Sequence, residues 1–236
     1  MRIALISNIH ANLPALESAL NLIRKTGFDL LINTGDSIAI GPFPSECIEL
    51  LMTIENLYAL QGNHERYLTN GMPVPRPVYI SDGELHHHQW VMDNLNVNEK
   101  EWINKLPYQM NLNEQGQQIT FLHSLLMENK YDFSQPKELT VNCLDEYFNE
   151  IEANIICYGH IHSQRIVKGK KHYINPGSLG CNNLSTAHFY MLNINKNGLS
   201  IEKMETEYNG KLLLKELKKR KVPDREMISM LFYGKQ

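Results

Sequence analysis

The sequence predicts an α/β fold that contains mixed β-sheets. In the first half of the chain, short apolar runs alternate with helical patterns, and polar loops that contain glycine follow the runs. In the second half, apolar runs that resemble strands are joined by tight turns at 168–171 and 195–198. Strands joined by helices therefore give way to strands joined by turns, which argues against a Rossmann layout.

The first-half elements follow from hydrophobic periodicity and from residues that start or stop helices. Strand patterns lie at 2–7, 30–36 and 56–64, and helical patterns lie at 12–27 and 44–54. In the first helix, Leu16, Leu20 and Ile23 share one face. Pro14 lies in its first turn and Gly27 marks its stop. The alternation places the polar loops at strand ends, where open α/β sheets carry functional residues.

The second-half elements are mainly strands. Strand patterns lie at 118–124, 154–162, 165–178 and 187–205. The segment 212–221 predicts an amphipathic helix with Leu213 and Leu217 facing inward and its lysines in water, with a basic docking helix as the alternative. No repeat, low-complexity segment or linker divides the chain, so we expect a single domain over 1–236.

Composition and charge limit the classes of function. The chain has 236 residues, of which 42% are hydrophobic and 21% are charged, a balance that can bury a full core. A formal charge of -3 and a pI near 6.4 provide no basic field, so neither a nucleic-acid polymer nor an anionic membrane is an expected partner. With a mean hydropathy of -0.36 and no leader-like start, we expect a cytoplasmic protein without a membrane segment.

Several common site types are absent from the sequence. The four cysteines show no CxxC pair and no dense spacing, so we expect reduced, buried thiols and neither a disulfide framework nor a cysteine-based zinc knuckle. There is no GxSxG nucleophile elbow and no Walker A loop, which argues against serine hydrolysis and P-loop chemistry. No pattern indicates an oligomeric state.

Five polar loops hold an unusual share of the residues that bind metal ions. They are SNIH at 7–10, GDS at 35–37, GNHE at 62–65, LHS at 122–124 and GHIH at 159–162. Half of the ten histidines lie in these loops, beside aspartate and asparagine. Imidazole with carboxylate and amide oxygens suits Mn, Fe, Zn, Ni or Co, and ligands from several loops can hold two ions about 3.5–4 Å apart. The pattern points to phosphoryl transfer.

The ordered series resembles the calcineurin-like metallophosphoesterase superfamily, whose motifs are D-x-H, G-D, G-N-H-[DE], H and G-H-x-H. The match runs from position 8 to position 162, and INPGSLG at 174–180 is similar to the family's usual continuation. GDSIAIGPFPSE and ALQGNHE are similar to small bacterial members grouped with diadenosine-tetraphosphatase-like phosphoesterases. The resemblance implies a four-layer α/β/β/α sandwich of two mixed β-sheets flanked by helices, with a dinuclear site at the carboxyl ends of the strands.

The resemblance also implies a role for each matching residue. The implied first-metal ligands are Asn8, His10 and His162, the bridge is Asp36, and the second-metal ligands are Asn63, His123 and His160. One carboxylate oxygen of Asp36 can serve two cations, and the spacing of His160 and His162 turns both imidazoles to one side of an extended segment. His64 resembles the family's general acid or transition-state stabiliser on the leaving-group oxygen. The implied nucleophile is a metal-bound hydroxide that attacks phosphorus in line with the leaving group.

Asn8 departs from the family pattern, which has an aspartate that ligates the first metal at this position. The amide oxygen can still coordinate but is neutral, so we expect weaker first-site occupancy and a strongly reduced rate. Because only this ligand departs, decay of an unused enzyme is disfavoured. An engineered exchange and a native variant tuned to binding or slow catalysis both stay open. The structural alternative is a turn or N-cap residue.

The segment at 65–118 is rich in proline, aromatic residues and short helical patterns, and it is too long for a plain connection. A lid or rim that shapes substrate choice and a peripheral insertion are both open. Within it, the triplet His86, His87 and His88 is open to a metal or phosphate role, but consecutive helical residues face different directions, which favours a solvated face with one packed ring. For residues 175–178, contact with ligands or phosphate and a tight structural turn are both open.

These observations predict a dinuclear metal-dependent phosphoesterase that acts on a small phosphorylated molecule. Candidate substrates are a phosphomonoester, a phosphodiester and a dinucleoside polyphosphate. The rival interpretation is a metal-binding or phosphate-sensing module that does not turn over and works by interaction. Replacing Asn8 with aspartate should restore metal and rate in an impaired enzyme, and it should do little in a remodelled pocket.

Overall fold

The computed structural model describes residues 1–78, 80–126 and 134–234. The strands are β1 (Arg2–Ile6), β2 (Leu30–Asn33), β3 (Leu57–Ala59), β4 (Gln109–Glu114), β5 (Gln117–Leu122), β6 (Ile155–Tyr158), β7 (Arg165–Lys168), β8 (His172–Asn175), β9 (Thr186–Asn195) and β10 (Gly198–Glu207). The helices are α1 (Leu13–Thr26), α2 (Pro44–Met52), α3 (Asn63–Asn70), α4 (Asp82–Asp93), α5 (Val97–Asn104), α6 (Val141–Tyr147), α7 (Gly210–Lys219) and α8 (Arg225–Tyr233).

Two five-stranded sheets each mix parallel and antiparallel pairs. Sheet 1 has the order β10-β9-β1-β2-β3, in which β1, β2 and β3 are parallel and β9 is antiparallel to β1. Sheet 2 has the order β4-β5-β6-β8-β7, in which β5, β6 and β8 are parallel and both edge strands are antiparallel to their neighbours. The predicted mixed sheets are therefore confirmed.

Strand β1 shows how the layers stack. Ala4 and Ile6 pack into the core beneath the helices, whereas Ile3 and Leu5 pack into a second core, because successive residues of a strand point to opposite faces. The second core also contains Phe121 of β5. It therefore lies between the two sheets, with β1 facing β5 across it.

Helices cover the outer faces of both sheets. Leu16 of α1 packs on sheet 1 together with Leu213 and Leu217 of α7, which confirms the inward face predicted for 212–221. On the other side, Leu144 of α6 packs against Tyr158 of sheet 2. The order helix, sheet, sheet, helix confirms the predicted four-layer sandwich. None of the described helices combines the length and the apolar character needed to cross a membrane.

The segment at 65–118 forms most of α3, then α4, α5 and β4, and its Tyr79 lies outside the described residues. Helix α3 packs against α4 and α5, and α5 packs against α2. Strand β4 pairs with β5 and completes the edge of sheet 2. The end of the segment is thus part of the sandwich, while a lid or rim role for its helices stays a prediction.

Candidate metal centre

The five predicted ligand loops follow the carboxyl ends of parallel strands from both sheets. Backbone hydrogen bonds tie neighbouring loops together: the Asn8 amide donates to the Gly35 carbonyl at 3.0 Å, and the His10 amide donates to the Asp36 carbonyl at 2.9 Å. In sheet 2, the amide of Gly159 donates to the carbonyl of His123 at 2.9 Å. The side chains predicted as ligands therefore converge at one edge of the sandwich.

Four of the predicted ligands have a left-handed backbone. The φ angle is 53° at Asn8, 50° at His10, 57° at Asp36 and 63° at His160. This region is uncommon for residues other than glycine and costs about 1–3 kcal/mol per residue. Such strain persists only where the surrounding structure imposes it, and here it coincides with the ligand loops.

The predicted second-metal ligands bring four donor atoms together. Asn63 Oδ1 lies 3.2 Å from His123 Nε2 and 3.0 Å from His160 Nδ1. His123 Nε2 lies 3.2 Å from Asp36 Oδ2 and 3.3 Å from His160 Nδ1. Two nitrogens and two oxygens thus face one another at close range, which is the donor set and convergence that a transition-metal ion requires.

A second hydrogen bond orients His123. Its Nδ1 donates to the carbonyl of Thr34 at 2.9 Å, which turns Nε2 toward Asp36. Burial lowers the pKa of His123, but the charge of Asp36 and the hydrogen bond to it outweigh burial and raise that pKa. Burial raises the pKa of Asp36, but the imidazoles of His123 and His64 hold it well below its usual range. The carboxylate and the imidazole therefore attract each other, and a cation that binds here competes with the proton of His123.

The predicted first-metal ligands His10 and His162 also meet. Their Nε2 atoms are 3.0 Å apart, and His10 Nε2 lies 3.9 Å from Asp36 Oδ2. Burial and the neighbouring His162 hold the pKa of His10 well below its ordinary value, and burial lowers the pKa of His162. Both rings are therefore neutral near neutral pH, which is the form that binds a metal. Asp36 reaches both groups of ligands, as a bridging carboxylate must.

Asn8 is fully buried and bound to the 174–180 turn. Its Nδ2 donates to the carbonyl of Gly177 at 3.2 Å, and its backbone carbonyl accepts hydrogen bonds from Ser178 Oγ at 2.8 Å and from the Gly180 amide at 3.0 Å. Its Oδ1 is buried without a hydrogen-bond partner among the described residues. The N-cap of α1 is Asn12, whose Oδ1 accepts from the Ala15 amide, so Asn8 does not cap that helix.

The residues present fit divalent metal ions. In the part of the chain that the structure describes, one group of potential ligand atoms comes from Asp36, His123 and His160, and another from His10, Asp36 and His64. Within each group the atoms lie within 4.8 Å of one another. The buried Oδ1 of Asn8 costs about 1–3 kcal/mol if nothing satisfies it, and a cation would do so.

His64 contacts the bridging carboxylate and a second histidine. Its backbone amide donates to Asp36 Oδ1 at 3.1 Å, and its Nδ1 lies 3.2 Å from His88 Nε2. The ring packs edge-on against His10, with centroids 5.3 Å apart. Burial lowers the pKa of His64 to about 3, so the ring is neutral near neutral pH. His64 therefore lies beside the first group of ligands, and it is not one of the four residues that form the second group.

The prediction of a solvated face at His86, His87 and His88 is wrong. His86 is exposed, but His87 and His88 are only 4% and 6% exposed. His87 Nε2 accepts a hydrogen bond from the Ile40 amide at 2.7 Å, and the His88 ring stacks on His64. Two adjacent sides of α4 are covered, so consecutive residues are both buried. Burial lowers the pKa of His87 to about 3 and that of His88 to about 4.

Sequence patterns do not single out Glu65 beyond its place in the GNHE motif, yet its carboxylate joins two ligand loops. It is fully buried and accepts four backbone hydrogen bonds. The donors are the amides of Gly62 at 2.8 Å, Asp36 at 2.9 Å, Ser37 at 2.7 Å and Ile38 at 3.3 Å. Burial and the charge of Asp36 raise the pKa of Glu65 to about 7, although the backbone donors act in the opposite direction. Glu65 thereby fastens the Asp36 loop to the Asn63 loop.

The 175–178 segment forms a tight turn that braces the ligand loops. Asn175 Oδ1 accepts from the Gly177 amide at 2.8 Å, and Asn175 Nδ2 donates to the carbonyl of Gly159 at 3.0 Å. Ser178 binds the backbone of Asn8. The turn therefore holds the first and the last of the five loops in their relative positions.

Comparison with known sequences identifies a family and a relative of this chain. The model of the calcineurin-like phosphoesterase superfamily domain matches residues 1–197. An uncharacterized protein of Methanocaldococcus jannaschii is 25% identical in an alignment that covers 94% of each chain.

Solved structures share the fold over nearly the whole chain. A hypothetical protein from Pyrococcus horikoshii has a TM-score of 0.84 at 19% identity, covering 100% of this chain and 99% of that one. A metallophosphoesterase from Sphaerobacter thermophilus has a TM-score of 0.74 at 19% identity, covering 99% of both chains. These two likenesses concern the fold, and the family model spans most of the sequence. The chain therefore belongs to the calcineurin-like phosphoesterase superfamily.

Proposed function

We propose that this protein hydrolyses a small phosphate ester with two divalent metal ions bound at the candidate centre. The observation that carries the proposal is the convergence of Asp36 Oδ2, Asn63 Oδ1, His123 Nε2 and His160 Nδ1, with contacts of 3.0 to 3.3 Å. Membership of the phosphoesterase superfamily supports the same class of reaction. Asp36 serves both ligand groups, and Asn8, His10 and His162 complete the first.

The residues around the centre prepare it for charge that develops on phosphorus. Two divalent ions, when bound, polarise the phosphoryl oxygens and lower the pKa of an attacking water. The chain's own contribution is a rigid and dry set of ligands: His123 is held by Thr34, and Asp36 is held by the loop that Glu65 anchors. Buried polar groups of this kind act more strongly than the same groups in water.

We assign His64 to the leaving-group oxygen. Because burial lowers its pKa to about 3, the ring acts as a neutral hydrogen-bond donor and not as a cation. Its Nδ1 faces His88 Nε2 at 3.2 Å, so a proton on His88 Nε2 leaves the proton of His64 on the opposite nitrogen, Nε2. His88 is therefore a positioning residue for His64.

A cavity of about 500 Å³ lies beside His64 between α4 and α8, and we assign the leaving group to it. Its apolar lining comes from Ile40, Met227, Ile228, Leu231 and Phe232. Its acidic groups are Glu84 and Asp224, and none of the described residues that line it is a lysine or an arginine. A neutral or cationic leaving group with apolar surface suits such walls better than a polyphosphate chain. This favours phosphomonoesters and phosphodiesters over dinucleoside polyphosphates.

The first experiment compares the unmodified protein with Asn8→Asp and with Asn104→Asp, which adds the same charge at an exposed position of α5. Elemental analysis after reconstitution with Mn²⁺, Co²⁺ or Ni²⁺ measures metal per chain. Hydrolysis of aryl phosphate monoesters, aryl phosphate diesters and diadenosine tetraphosphate measures activity. We expect slow hydrolysis of the aryl esters by the unmodified protein. Asn8→Asp should raise first-ion occupancy and rate, because it adds an anionic ligand, while Asn104→Asp should change neither.

A second candidate function follows from the neutral side chain of Asn8. With fewer anionic ligands, the fold could bind one metal or phosphate without turnover and work as a sensor or interaction module. In that case the unmodified protein and Asn8→Asp would both bind metal and neither would hydrolyse any of the esters. That result would contradict the enzymatic proposal.

The leaving-group cavity has its own test. Leu231 is 63% exposed and lines the cavity, so Leu231→Asp adds a negative charge to the wall with little effect on folding. We expect it to raise the KM for aryl diesters and to leave metal content unchanged. Leu184→Asp is the matched control, because Leu184 is 77% exposed and is not part of that wall. Equal KM values for both variants would contradict the assignment of the cavity.

A further inference from the structure

Cys181 lies against the first group of metal ligands. Its sulfur and one ring nitrogen from each of His10 and His162 all lie within 4.8 Å of one another. The sequence does not suggest this contact. Cys181 lies far along the chain from His10, and β7 and β8 separate it from His162. The contact arises because the chain returns to the β1 loop after β8.

The first group otherwise lacks an anionic ligand of its own. Histidine binds a metal ion as a neutral imidazole, so His10 and His162 add no charge, and Asn8 contributes a neutral amide. The carboxylate of Asp36 is shared with the second group. Glu65 is also buried nearby, but four backbone amides already surround its carboxylate. A divalent ion at the first position would thus meet few negative charges.

The backbone holds Cys181 in this place. Gly180 donates its amide to the carbonyl of Asn8 at 3.0 Å, and a Cβ at Gly180 would lie 1.8 Å from the Ile9 carbonyl oxygen. Only glycine permits this approach of the two segments. The amide of Cys181 in turn donates to Ser178 Oγ at 2.8 Å. Both contacts bring the sulfur to the loop that carries His10.

A buried tyrosine hydroxyl lies near the same sulfur. Tyr233 is 3% exposed, and its hydroxyl has no hydrogen-bond partner among the described residues. The hydroxyl interacts electrostatically with the Cys181 side chain, and a small movement would let it donate a hydrogen bond to a metal-bound sulfur. Donors of this kind orient and stabilise a metal-bound ligand. Burial raises the pKa of the Cys181 thiol, so the thiolate forms only when a bound cation displaces the proton.

We propose that Cys181 is a thiolate ligand of the first metal ion, with His10 and His162, and that it supplies the negative charge that Asn8 does not. The inference rests on the metal centre of the proposed function. A thiolate is a soft ligand, so the first position should prefer Zn²⁺, Fe²⁺ or Co²⁺ over Mn²⁺ or Mg²⁺. The second position, with two oxygens and two imidazoles, keeps a broader preference.

The test uses Co²⁺ as the probe of the metal-free protein. Cobalt bound to nitrogen and oxygen gives visible ligand-field absorption, and cobalt bound to a thiolate adds a charge-transfer band in the near ultraviolet. The proteins compared are the unmodified chain, Cys181→Ser, Tyr233→Phe and Cys143→Ser. Cys143 is the matched control, because it is a partly buried free cysteine on α6. Native mass spectrometry counts the bound ions in each sample.

We expect the thiolate band in the unmodified protein and in Cys143→Ser, and its loss in Cys181→Ser. A residue that only supports a metal ligand typically changes metal affinity roughly 10- to 100-fold. The affinity for the first ion should fall by more than this in Cys181→Ser, and by an amount within this range in Tyr233→Phe. In the double variant Asn8→Asp/Cys181→Ser, the new carboxylate should recover affinity without restoring the band.

Each contrary result has a distinct meaning. Bound cobalt without a thiolate band in the unmodified protein would overturn the role of Cys181 and leave the phosphoesterase centre standing. A band that persists in Cys181→Ser would overturn that role as well, because another cysteine would be its source. Failure of the unmodified protein to bind any cobalt would overturn both this inference and the proposed function.

Discussion

His88 is predicted to make the stability of the metal-free protein depend on pH. The side chain is 6% exposed, stacks on His64, and has its pKa lowered by burial to about 4. In the unfolded chain the same group has a pKa of about 6.5. The unfolded state therefore binds a proton between about pH 6.5 and pH 4 that the folded state does not bind. Stability due to neutral His88 is fully present above about pH 6.5 and is lost as the pH falls.

The size of this effect follows from the two pKa values. A difference of about 2.5 pH units corresponds to about 3 kcal/mol, at about 1.4 kcal/mol per unit. That is a large part of the roughly 5–15 kcal/mol by which single domains are stable. His87, whose pKa burial lowers to about 3, acts in the same direction. Acid should therefore destabilise the metal-free protein well before its carboxylates are all protonated.

The assay is urea unfolding of the metal-free protein at several pH values between about 7 and 4.5. In His88→Gln the group that titrates is gone, so its free energy of unfolding should approach that of the unmodified protein as the pH falls, by as much as about 3 kcal/mol. His86→Gln is the control, because His86 is exposed on the same helix. Parallel stability curves for the unmodified protein and His88→Gln across this range would refute the reasoning.

Three further predictions concern the anchor Glu65, the hydrogen-bond donor His64 and the core residue Leu217. Glu65→Ala should weaken metal binding roughly 10- to 100-fold in calorimetry, because the Asp36 loop loses its anchor, and Glu101→Ala, at an exposed position of α5, should not. His64→Ala should lower kcat about 10²- to 10³-fold at unchanged metal content, because the donor to the leaving-group oxygen is lost, and an unchanged kcat would remove His64 from the reaction. Leu217→Ala should cost about 2–5 kcal/mol in urea unfolding, whereas Leu212→Ala, at a position 40% exposed, should cost much less.

Much of the fold could be predicted because the relevant signals are local. In α1, a proline in the first turn and a glycine after the last turn bound a run whose apolar residues share one face. The long hairpin of β9 and β10 follows from two strand patterns joined at residues 196–197. Strand β4 was harder, because its burial alternates only between exposed and half-buried residues at a sheet edge. Such a strand has little apolar pattern to detect.

The candidate site was predictable where its residue types are themselves distinctive. Histidine, aspartate and asparagine at strand ends indicate metal ligands, and the structure brings Asp36, Asn63, His123 and His160 together. Glu65 could not be assigned in this way, because its role depends on amides in another loop. Roles that depend on which backbone segments meet require the tertiary structure.

The burial of the histidine triplet at 86–88 likewise depends on which segments meet in the tertiary structure. Helical geometry separates consecutive residues by direction, which predicts that at most one ring is packed. The prediction for His87 and His88 was wrong because the loop at Ile40 covers one side of α4 and His64 covers the next. Periodicity describes a helix with one covered face, and α4 has more than one.

The surroundings of Asn8 bear on why an amide occupies this position. Nδ2 donates to the carbonyl of Gly177, and a carboxylate there would place two acceptors 3.2 Å apart. Asn8→Asp therefore exchanges a hydrogen bond for a repulsive contact unless the metal or a rotation of the side chain relieves it. The amide thus matches its neighbours, and the thiol of Cys181 lies within reach of the same histidines. Two interpretations of the first metal position can be compared. In one, the thiolate of Cys181 supplies the negative charge that residue 8 lacks, and in the other an anionic ligand is lost without replacement. These contacts favour the first.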